Sequence, residues 1–283
     1  MIIDFHTHTF PSRVAESIIE RLSHTGNVPH YTNGSPEDLS ASMKNACIDY
    51  SVNLPVMTRP DQVVHVHDGL LENLPYFEEN RILTFGGLHP DFEGFEAELR
   101  RLKNCGIRGI KLHPAYQQTD LNDLRYLRII DAISDAGMVM IVHAGLDIGY
   151  LFHNFASVPQ ILDVIEQVRP EKFVLAHMGG WQDWENVEKY LAGAPVFFDT
   201  AFSIGKMGDS PDGKIHYPYT ENLSNDAFVR LVRAVGCDRV LFASDSPWAD
   251  QKEYVHRLNA IPLLPEEKEL IFCRNAQRLL NLS

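Results

Sequence analysis

Short runs of apolar, β-branched and aromatic residues recur along the chain. They lie at Ile2–Phe5, Cys47–Leu54, Ile82–Gly86, Ile107–Leu112, Met138–Val142, Phe173–Ala176, Val196–Phe198 and Val240–Ala243, and each has the length of a strand. Between them, apolar positions three and four apart predict helices over Pro36–Asn45 behind a Ser35 N-cap, Gln62–Glu79, Phe95–Asn104, Leu121–Ala136, Val158–Gln167, Trp184–Leu191 and Asp226–Val235. A last helix is predicted over Glu266–Asn281 behind Pro265. Strands that alternate with helices at regular spacing are the repeat of a parallel sheet with helical crossovers. Eight such units predict an α/β fold, a closed (β/α)8 barrel of the TIM type, as one domain spanning residues 1–283.

Composition narrows the partners more than the fold. Hydrophobic residues at 45% and charged residues at 22% are ordinary for a globular chain of 283 residues. The net charge of −13 argues against nucleic acid and against an anionic membrane surface, since both require clustered Lys and Arg. A small anionic substrate remains open, because it feels only the local field of its pocket. Cys47, Cys105, Cys237 and Cys273 are scattered without a CxxC pair, which fits reduced thiols. The chain runs from Met1 directly into a strand without a basic and apolar leader, so a cytoplasmic protein without a membrane anchor is expected.

Chemistry is expected at the C-terminal ends of the strands, where barrel enzymes place it. The first strand ends His6-Thr7-His8. Alternation along a strand points two such histidines to one face about 7 Å apart, close enough to converge on one cation. The pair His65-Val66-His67 has the same spacing inside a helical pattern, where positions i and i+2 diverge and cannot share a metal. The fourth strand leads through Lys111 to His113-Pro114, the fifth ends at His143, the sixth at His177, and the eighth runs Ser244-Asp245-Ser246-Pro247-Trp248. A lone histidine at a strand end is commonly structural. Five strand ends carrying His or Asp in the same phase are hard to attribute to packing.

The His-x-His of the first strand, the single histidines of the fifth and sixth and the aspartate of the eighth resemble the signature of the amidohydrolase superfamily. The wording Lys111-Leu112-His113-Pro114, Ala176-His177-Met178-Gly179-Gly180 and Ser244-Asp245-Ser246-Pro247-Trp248 is similar to its amidohydrolase-2 branch, which also contains decarboxylases related to aminocarboxymuconate-semialdehyde decarboxylase. The resemblance covers essentially the whole chain. It implies that His6, His8, His143 and Asp245 hold one divalent metal, Zn2+ being the expected ion, with a position left open for water. It also implies that Asp245 acts as general base and proton donor, and that His177, just outside the ligand set, hydrogen-bonds the water or polarises the substrate.

Lys111 admits two readings. Carboxylated, as in binuclear relatives, it would bridge two metals, with His143 and His177 serving the second. As a cation it would bind a substrate carboxylate or pair with a buried acid. Arg59, His89 and Trp248 are further candidates for substrate contact, and Trp181 for the pocket wall. His113 is expected on the opposite face of its strand, either supporting a site residue from behind or in a structural role. Asp4 is expected on the face of His6, either orienting a neighbour or in a structural hydrogen bond. Thr25–Ser35 and Ser203–Glu221, the latter with Lys206, Lys214, His216, Tyr217 and Tyr219, are candidate substrate loops. The expected activity is metal-dependent hydrolysis of an amide, lactone or related C–N or C–O bond in a small, carboxylate-bearing molecule. Non-oxidative decarboxylation is the alternative within enzymes, and a barrel that binds ligand or metal without turnover the alternative outside them. A homodimer is compatible with all three.

Overall fold

The computed structural model describes residues 1–205 and 222–282. The lysines, histidine and tyrosines of the candidate loop from Lys206 onward lie outside the described residues. Nine strand segments are found among those described: β1 (Ile3–Thr7), β2 (Tyr50–Asn53), β3 (Ile82–Thr84), β4 (Gly86–Gly87), β5 (Gly109–Leu112), β6 (Val139–Val142), β7 (Phe173–Leu175), β8 (Phe197–Asp199) and β9 (Val240–Leu241). All pairings are parallel, in the orders β1-β2-β3 and β4-β5-β6-β7-β8-β9.

The two sheets are parts of one barrel. β3 and β4 are halves of a single stave broken at Phe85, whose N–H still donates to the Asn53 carbonyl at 2.9 Å. The other seam closes where the N–H of Phe5 donates to the Phe242 carbonyl at 2.8 Å, that of Asp245 to His6 at 2.9 Å and that of His8 to Ser246 at 2.7 Å. Eight parallel staves therefore form a TIM-type α/β barrel, and among the described residues no sheet edge is left unpaired.

Alternation along the strands divides the core in two. Met140 and Val142 of β6 join the larger cluster between strands and helices. Val139 and Ile141 join Ile3, Phe5, Val52, Phe85, Val174 and Leu241 in a smaller inner cluster, which the C-terminal helix completes with Ala276 and Leu280. Lys111 shares the inner parity of Gly109 on β5, and His143 continues that of Val139 and Ile141. The inner phase of these strands thus runs from apolar packing into polar chemistry.

Differences from the sequence reading have local causes. The helix expected over Gln62–Glu79 is two, Gln62–Glu72 and Leu74–Glu79, separated at Asn73, with Pro75 near the start of the second. Cys47, expected to open a strand, instead ends the helix Pro36–Ala46 with φ 56°, so the strand begins only at Tyr50. The helix expected from Leu121 starts at Leu124 behind an Asp123 N-cap. Pro114–Gln117 forms a short extra helix. Among the described residues no helix is long and apolar enough to cross a membrane.

His67, the helical control for the His-x-His pattern, is buried. Its Nδ1 donates to Glu98 Oε1 at 2.6 Å and its Nε2 accepts the Gly87 N–H at 3.0 Å, while Arg101 holds the same carboxylate at 2.6 and 2.9 Å. Burial holds the imidazole below its usual pKa, so it is neutral when folded. The network ties the helices Gln62–Glu72 and Phe95–Asn104 to β4. Replacing His67 with Leu strands a buried N–H and is expected to cost about 2–3 kcal/mol in urea unfolding. Replacing the exposed His65 with Ala should change stability by no more than about 0.5 kcal/mol.

Candidate active site

The pairing register of β1 shifts between Asp4 and Thr7, and this shift aims the first two histidines. Asp4 meets Ser244 and Gln251, accepting Ser244 Oγ at 2.5 Å and Gln251 Nε2 at 2.7 Å. It therefore fastens the closing seam of the barrel in a structural role. Burial raises its pKa to about 6 against those hydrogen bonds. Phe5 packs edge-on against Phe85 in the inner cluster. His6, the next residue, already meets Lys111 and Asp199 over the barrel mouth. A local shift of register is a recurrent device for re-aiming side chains beside functional sites.

Proton positions follow from the outer hydrogen bond of each imidazole. His6 Nδ1 donates to Asp199 Oδ2 at 2.8 Å and His8 Nδ1 to the Leu54 carbonyl at 2.7 Å. In the neutral rings both Nε2 atoms then carry lone pairs, yet they lie 3.2 Å apart. Asp245 Oδ1 completes this group at 3.2 Å from His8 Nε2 and 3.6 Å from His6 Nε2. A second group repeats the pattern. His177 Nδ1 donates to the Ala201 carbonyl at 2.9 Å and His143 Nε2 to that of Leu146 at 3.1 Å, leaving His177 Nε2 and His143 Nδ1 facing each other at 2.9 Å. Acceptor atoms this close require positive charge between them, from protons or from a cation. Nitrogen and carboxylate donors of this kind suit a divalent transition metal.

Lys111 is fully buried with its Nζ 3.1 Å from His6 Nε2. Burial pulls its pKa down to about 8 against the opposing pull of Asp199, Asp245 and Asp147. Burial also lowers His6, His143 and His177, the last to about 4, and neutral imidazoles are the metal-binding form. For Asp245, burial works upward but is outweighed by the neighbouring His8, His177 and Lys111, so the carboxylate lies below its usual range.

Asp199 was not singled out from the sequence, although it ends β8 at the rim phase used to find the others. Its Oδ1 accepts the N–H groups of His177 at 2.8 Å and Ala201 at 3.0 Å while Oδ2 holds His6. One carboxylate thus orients a histidine from each group. It also secures strained backbone, since His177 lies at φ 58°; Asp245, likewise strained, lies at φ 73°. Gly145 is required nearby because a Cβ there would lie 2.2 Å from the Trp181 backbone nitrogen.

A cavity of about 1030 Å³ opens over both groups, with His6, His8, Lys111, His143, His177, Asp245, Trp181 and Trp248 in its wall. His113, expected to face away, also lines it. His113 stacks on His143 at 4.4 Å between centroids, and its Nε2 lies 3.7 Å from Asp147 Oδ2. Asp147 and Tyr116 belong to the same wall and had no strand-end signal to reveal them. Arg59 is exposed and paired with Asp61 at 3.0 Å. His89 is buried with Nδ1 accepting the Asp91 N–H at 3.1 Å. The structure does not bring these two to the cavity.

A family model for amidohydrolases matches residues 3–282. No curated protein is significantly similar to this chain in sequence. In fold the chain is similar to an uncharacterised TIM-barrel protein from Bordetella bronchiseptica, with 17% identity, TM-score 0.72 and coverage of 99% of this chain and 98% of that one. It is also similar to a 2,6-dihydroxybenzoate decarboxylase solved with 2,6-dihydroxybenzoate, with 14% identity, TM-score 0.70 and coverage of 99% and 98%. A third similar structure is a dihydroxybenzoic acid decarboxylase from Polaromonas solved with manganese and the inhibitor 2-nitroresorcinol, with 13% identity, TM-score 0.70 and coverage of 99% and 97%.

Asp199 provides a test of the tautomer argument. An asparagine can satisfy the two N–H groups on one side only by turning its NH2 toward His6, which moves the His6 proton to Nε2. Asp199→Asn is therefore expected to retain its fold and lose about 10- to 100-fold in divalent-metal affinity, measured by chelator competition. Unchanged affinity would show that His6 does not need Asp199 to present its lone pair.

Proposed function

Because this chain belongs to the amidohydrolase family over residues 3–282, we propose that it is a metal-dependent enzyme that decarboxylates a small carboxylic acid without an oxidant. The observation that carries this reading is the convergence of His6 Nε2, His8 Nε2 and Asp245 Oδ1 within 3.2–3.6 Å beside the buried Lys111. The arrangement suits an anion lying on a cation. Decarboxylases recur among the structures of similar fold, two of them solved with manganese. His6, His8 and Asp245 would hold the metal, His143 being the further ligand that the family resemblance implies, and zinc and manganese both suit this donor set. When bound, the metal supplies Lewis-acid charge that orients and polarises a substrate oxygen.

The remaining steps belong to side chains of the chain. Lys111, with its pKa near 8, is largely cationic at neutral pH and neutralises the substrate carboxylate as it enters a water-poor site. His177 is neutral and held at Nδ1 by Ala201, so it positions the substrate rather than acting as a strong acid. Asp245 is a carboxylate at rest. It takes a proton from the substrate or from solvent and returns it to carbon as the C–C bond breaks. The bonding pair stays on carbon and receives that proton, so R–COO⁻ and H⁺ become R–H and CO2.

Hydrolysis, the reading drawn first from the sequence, has a specific observation in its favour. The two groups of facing lone pairs are separate, and Lys111 interacts with the histidines of both. Two cations bridged by a carboxylated Lys111 would suit an attacking water. Incubating metal-loaded protein with hydroxybenzoates and with N-acyl amides or lactones separates the readings: CO2 release supports decarboxylation, and incorporation of oxygen from labelled water supports hydrolysis. One metal per chain, unaffected by bicarbonate, accompanies the first; two that depend on bicarbonate accompany the second. Under the first reading, His177→Asn is expected to keep its metal and to lower kcat more than it changes KM, as loss of a positioning contact would.

A further inference from the structure

Two helices around the cavity carry apolar side chains that the core only partly covers. In Ala15–Gly26 the residues Ala15, Ile19 and Ser23 are buried. Ile18 and Leu22, one turn apart on a neighbouring face, are only half-buried and line the cavity. In Gln62–Glu72 the residues Val63 and His67 are buried, whereas Val66 and Leu70 sit at the margin of the core with the cavity before them. Gly69 lies between them, also in the cavity wall, and a Cβ there would meet no atom within 4 Å. Glycine within a helix weakens it relative to alanine, so the space it leaves open is maintained against helix stability. The charged residues of this wall, Arg21 and Glu72 among them, are exposed.

The volume points the same way. At about 1030 Å³ the cavity lies at the upper end of the roughly 300–1,000 Å³ typical of sites for drug-sized ligands. That is far more room than a single-ring acid fills. Apolar side chains lining a cavity exchange water for ligand with a gain proportional to the apolar area covered.

We infer that the substrate is an amphiphile, with its reactive polar head at the histidines and an aliphatic tail lying between the helices Ala15–Gly26 and Gln62–Glu72. The inference deepens the proposed function and rests on it for the position of the head. The tail itself is tested by binding alone.

Butanoate, hexanoate, octanoate and benzoate serve as unreactive probes of the metal-loaded full chain in titration calorimetry. Each added methylene is expected to tighten binding roughly fourfold, with octanoate binding more tightly than benzoate. Gly69→Leu, which fills the channel, and Ile18→Gln, which makes its wall polar, should each reduce the octanoate-to-butanoate affinity ratio at least tenfold. A wild-type ratio near one overturns the inference, as does a wild-type ratio retained in both variants. The wild-type series needs no variant to fold. If chain length governs affinity while neither CO2 release nor hydrolysis is found, the reaction assignment fails and the tail site stands. Turnover without chain-length dependence leaves the reaction assignment standing and overturns the tail site.

Discussion

Removing charge and polarity from water is the constraint on which the end of this barrel is built. His6, Lys111, His143, His177, Asp199 and Asp245 are all buried there, where an uncompensated polar group is costly. The protein offsets the cost by giving each imidazole an outward acceptor: Asp199, the Leu54 carbonyl, the Leu146 carbonyl or the Ala201 carbonyl. That solution has a consequence at the centre. Satisfying the outer nitrogens turns the inner ones into lone pairs that face one another and Asp245. The same arrangement that makes the histidines tolerable in the interior makes the site attractive to a cation.

The rest of the architecture serves that arrangement. The register shift in β1 brings His6 over the mouth directly after Phe5 has joined the inner core. The seam between β1 and the exit of β9 is held by Asp4, which grips Ser244 and Gln251 and so fixes the turn that presents Asp245. Asp199 supports the left-handed backbone of His177 while holding His6. The two sets of donor atoms are thus oriented together, and a change at either is felt by the other. Around them the cavity is lined by the polar site residues at the barrel end and, between the helices, by Ile18, Leu22, Val66 and Leu70 together with exposed polar side chains at the rim.

Much of the fold was legible because its signals are local. Each of the eight strand runs forms a stave, and the alternation of strand and helix identifies the barrel. His6, His8 and Asp245 were legible too, since strand ends of a parallel barrel converge whatever the loops do. His143 and His177 are brought together as a separate pair. Asp199 could have been found by following the same phase at the seventh strand run. Asp147 and Tyr116 could not, because they reach the cavity from connecting segments whose course no periodicity records. For the same reason Arg59 and His89, which follow strands, turned instead to Asp61 and to the Asp91 backbone.

By itself, then, the sequence determined the number of staves, the direction of the chain and that His6, His8, Lys111, His143, His177 and Asp245 would stand at the C-terminal ends of the strands. These depend on short-range patterns: the two-residue period of a strand, the 3.6-residue period of a helix, and turn and capping residues. Tertiary structure alone decided which nitrogen of each histidine is free, that His113 stacks on His143, that Lys111 is buried deeply enough for its pKa to fall to about 8, and that apolar side chains of two helices face a cavity. Each of these depends on partners distant in sequence, such as Asp199 for His6 and Ala201 for His177. Hydrogen-bond direction and desolvation exist only once those partners have been brought into contact.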